Sequence, residues 1–233
     1  MPIRLDQFIA NSSELSRKDA KRAIGRKRVS VDGEIVTSPN VKIPDTSRII
    51  LDGEPLSLPS ELYLMLHKPP GYVSASRDGE HPTVLDLLPA ELARRNGLHI
   101  AGRLDMDTSG LLLLTTDGQW SHRITSPRHD CRKVYRVGLD RPLDTTAHQT
   151  LENGLMLEGE DKPTLPASVH KLEDRLVELT IGEGRYHQVK RMMAAVGNHV
   201  TRLHRQRVGA ITLDPGLKPG QFRPLTQEEI DSV

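Results

Sequence analysis

The sequence predicts an α+β protein, with a small N-terminal α/β module followed by a larger domain built on a mixed, mainly antiparallel sheet. Two short helical patterns and a hairpin signal fill the first part of the chain. A stretch with two prolines, Glu54–Glu61, is typical of a linker. From Tyr63 onward, strand patterns outnumber helical patterns. We therefore expect one domain over residues 1–58 and a second over residues 62–233.

The N-terminal module begins with two predicted helices. Arg4–Ala10 has apolar residues at helical spacing, and Ser16, followed three residues later by Asp19, starts the second helix in a variant of the capping box. The second helix directs basic side chains outward: Arg17, Lys18, Lys21, Arg22 and Arg26. The segment Val29–Val36 has an Asp-Gly pair between two short apolar runs, which predicts a hairpin.

The larger domain combines many predicted strands with two helices. Strand patterns occupy Tyr63–His67, Tyr72–Ala75, Leu98–Ala101, Leu111–Thr115, Lys133–Leu139, Arg175–Ile181, His199–Val208 and Ile211–Leu213. Helices are predicted over Gln119–Thr125 and Arg185–Val196, and Gly197 ends the second. The four consecutive leucines that begin at Leu111 form a run too short for a typical core helix, which indicates a buried strand.

Composition excludes several classes of protein. The single cysteine, Cys131, rules out a disulfide framework and any cysteine-based zinc site. The histidines match no standard metal-ligand spacing, and neither a dinucleotide fingerprint nor a Walker-type phosphate loop occurs. Apolar runs are too short to cross a membrane, and the N-terminus lacks the apolar core of a signal peptide. We expect a soluble, cytoplasmic protein with no metal site.

The net charge of +1 is an average over unlike segments. Three stretches, Ser16–Arg28, Gln119–Arg136 and Arg185–Arg207, carry +6, +4 and +6, which leaves −15 for the rest of the chain. Because charges are screened beyond about 10 Å at ~0.1 M salt, a polyanion responds to the local segments and not to the total. This pattern favours a directed nucleic-acid contact. The alternative is that each stretch is an ordinary solvated face.

The segment Gly102–Gly118 is the most informative for chemistry. A polar loop bounded by glycine precedes the buried leucine strand, which is a common way to hold a reactive side chain at a cleft. Asp105 and Asp107 are two carboxylates two residues apart, and Arg103 is placed to contact a phosphate. The alternative is that both aspartates only stabilise the loop through Asx turns.

The N-terminal module resembles the S-four RNA-binding domain. The resemblance rests on RLDQFI at Arg4–Ile9, SRKDAKRAI at Ser16–Ile24 and VSVDGEIV at Val29–Val36. In that family the basic helix and the following hairpin grip structured RNA. The resemblance therefore implies RNA-binding roles for Arg17, Lys18, Lys21 and Arg22.

The rest of the chain resembles the pseudouridine synthases, in the branch named for the small-subunit rRNA enzyme. Besides Gly102–Gly118, the matching segments are HKPPGYV, GQWSHRITSPRHDCRKVYRV, EGRYHQVKRMMAAVGNHV and LHRQRVG, in that order along the chain. The resemblance implies the pseudouridine synthase fold and the conversion of uridine to pseudouridine in ribosomal RNA.

Individual roles follow from the same resemblance. Asp105 matches the essential aspartate, Tyr135 the active-site tyrosine, and Lys190 the basic residue that pairs with the aspartate. Leu203 matches an apolar residue of the uracil pocket, and Arg103 an arginine that helps to displace the target base. Taken by themselves, a tyrosine in an alternating strand is more often a core residue, and a lysine on a helix more often faces solvent.

The chemistry of the reaction is consistent with one essential carboxylate. Charge develops on the ribose as the glycosidic bond breaks, and a carboxylate stabilises it. Since no water is added and the uracil is retained, the second carboxylate of a glycosidase is not needed, and we expect no metal or redox cofactor. The aspartate either attacks the ribose or abstracts a ribose proton, and the sequence leaves both open.

We therefore predict an isomerase that modifies one uridine of 16S ribosomal RNA, free or in an assembling small subunit, and that acts as a monomer without contacting membrane. Three alternatives stay open: the same chemistry on 23S rRNA, a non-enzymatic ribosome-assembly factor, and a hydrolytic RNA glycosidase that releases uracil.

Overall fold

The computed structural model describes residues 3–44, 46–57, 60–126, 129 and 131–233. The chain divides into two compact units, Met1–Glu61 and Leu62–Val233. Within the described residues, no helix has the length and apolar character needed to cross a membrane.

The first unit packs two helices against short strands. Its elements are β1 (Ile3–Arg4), α1 (Leu5–Ser12), α2 (Arg17–Gly25), β2 (Val29–Val31), β3 (Glu34–Ile35), β4 (Lys42–Ile43), β5 (Ile49–Leu51) and β6 (Glu54–Leu56). The Ser16 side chain accepts the Asp19 N–H, so the predicted N-cap of α2 is confirmed. Strands β2 and β3 form the predicted hairpin across Asp32 and Gly33, both with positive φ.

The second unit is built on one large sheet. Its strands are β7 (Tyr63–Lys68), β8 (His99–Ala101), β9 (Ser109–Thr115), β10 (Lys133–Leu139), β11 (Ser168–Glu173), β12 (Leu176–Ile181), β13 (Val200–Val208), β14 (Ile211–Thr212) and β15 (Phe222–Pro224). Its helices are a 3₁₀ helix (Val84–Leu87), α3 (Ala90–Ala93), α4 (Gly118–Thr125), α5 (Thr145–Asn153), α6 (Gln188–Ala195) and α7 (Gln227–Asp231).

The sheet is mixed and mainly antiparallel. Its strand order is β11-β12-β10-β13-β9-β7-β15, with β14 beside β13 and β8 beside β9. Strand β9 lies parallel to β13 and antiparallel to β7 and β8. The α+β prediction is thus confirmed, and the topology places the loop before β9 next to the strands β13 and β10.

The leucine-rich strand β9 is buried on both faces. Leu112 and Leu114 belong to one apolar cluster, and Leu111 and Leu113 belong to another that contains Trp120. A strand covered on both sides reads as a continuous apolar run, which explains why its sequence lacks alternation. Strand β12, by contrast, alternates strictly between buried and half-buried residues.

Several predicted boundaries were wrong. Glu54–Leu56, assigned to a linker, is strand β6 paired with β5, and Leu58 and Pro59 of that linker lie outside the described residues. Tyr72–Ala75 is not a strand; Val73 makes only an isolated bridge to Thr83. Helix α6 begins at Gln188, three residues later than predicted, because His187 adopts a left-handed conformation. Strand β11 and helix α5 were not predicted.

Candidate active site

The loop between β8 and β9 carries the predicted catalytic aspartate. Asp105 and Asp107 lie in a turn that is closed by a hydrogen bond from the Thr108 N–H to the Asp105 carbonyl oxygen, 3.1 Å. The Ser74 hydroxyl fixes the start of this turn, since it donates to the Leu104 carbonyl oxygen at 2.7 Å and accepts the Leu104 N–H at 3.1 Å. Asp105 is therefore presented from a held turn and not from a free loop.

A buried lysine holds the same loop from beneath. The Lys68 side chain is fully buried, and its ammonium donates to the carbonyl oxygens of Asp105 (2.9 Å), Met106 (3.1 Å), Thr108 (2.7 Å) and Pro69 (3.1 Å). Burial lowers the pKa of Lys68 to about 8, against the opposing attraction of the Asp107 and Asp105 carboxylates. The ammonium thus fixes the backbone on both sides of Met106.

A buried arginine fixes the two ends of the loop. Arg205, on β13, donates to the carbonyl oxygens of Gly102 (2.9 Å), Arg103 (3.2 Å) and Leu111 (2.9 Å). Gly110 has a φ of +115°, and a Cβ atom there would lie 2.1 Å from the Arg205 carbonyl oxygen. Glycine is thus required where β9 meets β13, because any side chain would push the two strands apart.

Asp105 forms an ion pair with Lys190, as the sequence resemblance implied. The Lys190 ammonium lies 3.2 Å from Asp105 Oδ2 and 2.6 Å from Asp107 Oδ1, so one cation bridges two carboxylates. Burial lowers the pKa of Lys190, but its hydrogen bonds to Asp107 and Asp105 outweigh that effect, and the pKa ends above its usual value. Asp105 is 24% exposed and Lys190 27% exposed, so the pair is only partly shielded from water.

A cavity of about 740 Å³ opens beside Asp105. Tyr135 and Leu203, on the neighbouring strands β10 and β13, form part of its apolar wall and are nearly buried. Arg103 is exposed and also lines the cavity. A flat aromatic ring, an apolar side chain and an ion-paired carboxylate are thus grouped in one concave site large enough for a nucleoside.

The structure brings together the predicted residues of the second unit. Asp105, Tyr135, Leu203 and Arg103 line the cavity, and Lys190 contacts Asp105. In the described part of the chain, no group of three or more His, Cys, Asp or Glu side chains is placed to hold a metal ion. Cys131 is buried, and Arg128 and Asp130 of the second basic stretch lie outside the described residues.

The predicted RNA-binding residues of the first unit lie along the exposed side of α2. Ala20, Ala23 and Ile24 are buried, which leaves Arg17, Lys18, Lys21 and Arg22 exposed. Buried Asp6 pairs with two of them, since its Oδ2 is 3.2 Å from Arg17 Nε and 3.8 Å from Lys21 Nζ. Burial raises the pKa of Asp6, but hydrogen bonds from Arg4 and Arg17 hold it below its usual value. Part of the basic charge is therefore balanced within the module.

Sequence reasoning missed Lys68, Arg205 and His187. Lys68 lies within HKPPGYV and Arg205 within LHRQRVG, so both fall in segments that carried the resemblance, but neither had a role. A basic side chain in a strand usually points to solvent. Lys68 and Arg205 instead point inward, because the carbonyl groups of the loop are placed to accept their hydrogen bonds. His187 places Nε2 3.5 Å from Asp105 Oδ1, which no spacing in the sequence indicates.

Comparisons with known proteins agree on one family. A sequence model of the RNA pseudouridylate synthase family matches residues 62–195, and a model of the S4 domain matches residues 3–49. A protein of Escherichia coli (strain K12) named ribosomal small subunit pseudouridine synthase A is 53% identical over 233 residues, covering 99% of this chain and 100% of that protein. Its namesake from Yersinia pestis is 50% identical over 232 residues, covering 99% and 98%.

A solved structure described as a pseudouridylate synthase is similar over 99% of both chains, with a TM-score of 0.72 and 48% sequence identity. This similarity extends over both units.

Proposed function

Because this chain belongs to the RNA pseudouridylate synthase family, we propose that it isomerises one uridine of small-subunit (16S) ribosomal RNA to pseudouridine, with Asp105 as the essential carboxylate. The family assignment makes the protein an isomerase that acts on RNA. The choice of 16S rRNA is supported by relatives that are named for the small ribosomal subunit and that align over almost the full chain.

The observation that carries this proposal is the ion pair between Asp105 and Lys190 at the edge of the cavity. A carboxylate beside the ribose stabilises the positive charge that develops when the glycosidic bond breaks. The adjacent ammonium keeps the carboxylate oriented while the substrate displaces water from the site. Tyr135 offers a flat wall for the uracil, which has to leave its stack in the RNA to reach the cavity.

The second carboxylate of the loop, Asp107, does not fit the acid of a hydrolytic glycosidase. A hydrolytic glycosidase needs one carboxylic acid with a raised pKa to protonate the leaving group. Burial raises the pKa of Asp107, but its hydrogen bond with Lys190 outweighs that effect and leaves the pKa below its usual value. Asp107 is therefore ionised near neutral pH and does not supply the proton that hydrolysis needs.

RNA binding is assigned to both units. In the first unit we propose that Lys18 contacts phosphates, together with Arg17 and Lys21 where the RNA competes with Asp6, and Arg22 where it competes with Asp19. In the second unit Arg103 is proposed to contact RNA at the cavity. An rRNA substrate implies a cytoplasmic enzyme. We propose that the enzyme acts as a monomer, and light scattering of the purified chain tests its oligomeric state.

The direct test is to incubate the purified protein with transcribed 16S and 23S rRNA and to map pseudouridine at single-nucleotide resolution. We expect one modified uridine in 16S rRNA and unchanged RNA mass. Modification of 23S rRNA alone would contradict the substrate assignment, and release of free uracil would indicate hydrolysis. Asp105→Asn is the matched control: it keeps the shape of the side chain, and we expect RNA binding without product. Full activity of this variant would contradict the role of Asp105.

A further inference from the structure

An exposed aromatic ring stands at the mouth of the cavity. Tyr186 lines the cavity but is 77% exposed, more than any other large apolar side chain in the described part of the chain. Its ring is stacked on the imidazole of His187, with centroids 3.8 Å apart and an angle of 18° between the planes. One face of the tyrosine ring is therefore covered by His187, and the high exposure of the ring leaves the other face accessible.

The backbone that carries this stack is unusual. His187 precedes helix α6 with a φ of +47°, although the residue before a helix normally has an extended backbone, and it makes no capping hydrogen bond through its side chain. Of the three other described non-glycine residues with positive φ, Asp32 and Asp52 begin Asp-Gly turns, and Lys27 lies just after the C-terminus of α2. This conformation is common in both places. In this left-handed conformation, the Nε2 atom of His187 lies 3.5 Å from the Asp105 carboxylate.

Arg185, which directly precedes Tyr186, anchors the segment between β12 and α6. Its guanidinium donates to Glu183 (3.1 Å) and to the carbonyl oxygens of Lys162 (2.7 Å) and Pro163 (2.6 Å), and its N–H donates to the Gln188 side chain (2.8 Å). The two rings thus project from a segment that is held on its N-terminal side. A preorganised aromatic surface loses little conformational freedom when a ligand binds to it.

We propose that the accessible face of Tyr186 stacks on the unpaired base of a nucleotide that neighbours the target uridine. This inference rests on the proposed function. His187 contacts Asp105 on one side and the ring of Tyr186 on the other, so Tyr186 lies further from the reacting centre and closer to solvent. A base on the outer face of Tyr186 therefore lies beyond the site of the target uracil. Every nucleobase has a face that stacks on an aromatic ring. No residue from Arg185 to Arg207 is acidic, and the nearby carboxylates of Glu160 and Glu183 are paired with Arg185 and Arg191.

The experiment compares Tyr186→Ala, Tyr186→Phe and wild type on 16S rRNA, with kcat and KM determined separately. Loss of one base–aromatic stack corresponds to a loss of about 5- to 150-fold in binding. We expect Tyr186→Ala to raise KM within that range and to change kcat less, and Tyr186→Phe to resemble wild type. Met156→Ala is the matched control, because Met156 is an exposed apolar residue of the same unit outside the cavity, and we expect it to be neutral.

A second arm identifies the partner base. Once the target uridine has been mapped, RNA with an abasic site on its 5′ or its 3′ side is tested with wild type and with Tyr186→Ala. We expect one abasic RNA to weaken binding to wild type as much as the substitution does, with no further loss when the two are combined. Additive losses, a Tyr186→Phe variant as weak as Tyr186→Ala, or wild-type kinetics of Tyr186→Ala would each overturn the inference. Absence of pseudouridine with the wild-type protein would instead contradict the proposed function.

Discussion

The ammonium of Lys68, beneath the β8–β9 loop that carries Asp105, leads to a quantitative prediction for Lys68→Met. Methionine fills a similar volume but removes all four hydrogen bonds to the loop. The carbonyl oxygens of Asp105 and Met106 keep a second donor, since they also accept backbone N–H groups from Thr108 and Gly71. The carbonyl oxygens of Pro69 and Thr108 have no donor other than Lys68 in the described part of the chain, so the substitution leaves them without a partner.

The expected change in stability is small because two terms oppose each other. Two carbonyl groups without partners cost about 2–6 kcal/mol. Burial of the charge lowers the pKa of Lys68 from its usual 10.5 to about 8, and removing the charge recovers about 3 kcal/mol. The free energy of unfolding should therefore fall by no more than about 3 kcal/mol. Activity should fall about 100-fold, because a displacement near 1 Å of a catalytic group has an effect of that size.

The pH dependence separates positioning of the loop from global stability. As pH rises through about 8, Lys68 loses a proton and therefore one of the N–H groups that hold the loop, so kcat should fall above this pH. Stability should change in the opposite direction: the unfolded chain holds the proton up to about 10.5, so the Lys68 contribution to the free energy of unfolding rises with pH between the two values. Lys68→Met should remove both effects.

The assay is steady-state, multiple-turnover formation of pseudouridine in transcribed rRNA between pH 6 and about 10, with chemical denaturation at each pH. Lys171→Met is the control, since Lys171 is an exposed lysine of the same unit paired with Asp174. A Lys68→Met variant with kcat within threefold of wild type would refute the proposed positioning role. So would a fall in kcat near pH 8 that persists in the variant.

Three further predictions concern other parts of the molecule. Lys190→Met should lower the free energy of unfolding by only about 1–2 kcal/mol, because the pair with Asp105 is a quarter exposed, but should reduce kcat at least about tenfold; unchanged kinetics would contradict its role. Lys18→Ala should lower the log–log salt slope of RNA binding by about 0.7–0.9, and Arg17→Ala by less, because Asp6 already balances Arg17; equal slopes for all three proteins would place α2 away from RNA. Gly110→Ala should cost more than about 4 kcal/mol in thermal or chemical unfolding, whereas Gly118→Ala, which points into open space, should be tolerated; similar stability of the two variants would contradict the close approach to β13.

Local sequence patterns predicted the elements whose signals are local. The N-cap at Ser16, the Asp-Gly hairpin at Val29–Val36 and the strand at Leu111–Thr115 each depend on residues within a few positions of one another, and the structure confirms all three. At Glu54–Leu56 the local pattern predicts a linker, because proline is acceptable only at certain positions in a sheet. The pairing partner β5, which provides such a position, is not visible in the local pattern.

The candidate site also combines features that the sequence predicts with features that it does not. Asp105, Tyr135 and Lys190 could be chosen from the sequence because the segments around them resemble a known family. Resemblance does not reveal which atoms meet, and nothing in the sequence distinguishes the lysine that bridges Asp105 and Asp107 from one that faces solvent. The left-handed His187 was likewise invisible, since its conformation depends on what its ring contacts.

The sequence by itself thus determined the fold class, the family and the candidate carboxylate, because these depend on local propensity and on the order of motifs. Only the tertiary structure decided how that carboxylate is held. Lys68 and Arg205 look like surface residues along the chain, and they become internal donors because strands β7, β9 and β13 meet beneath the loop. A buried cation is stable only where several oxygen atoms converge on it, and that convergence exists only in the folded chain.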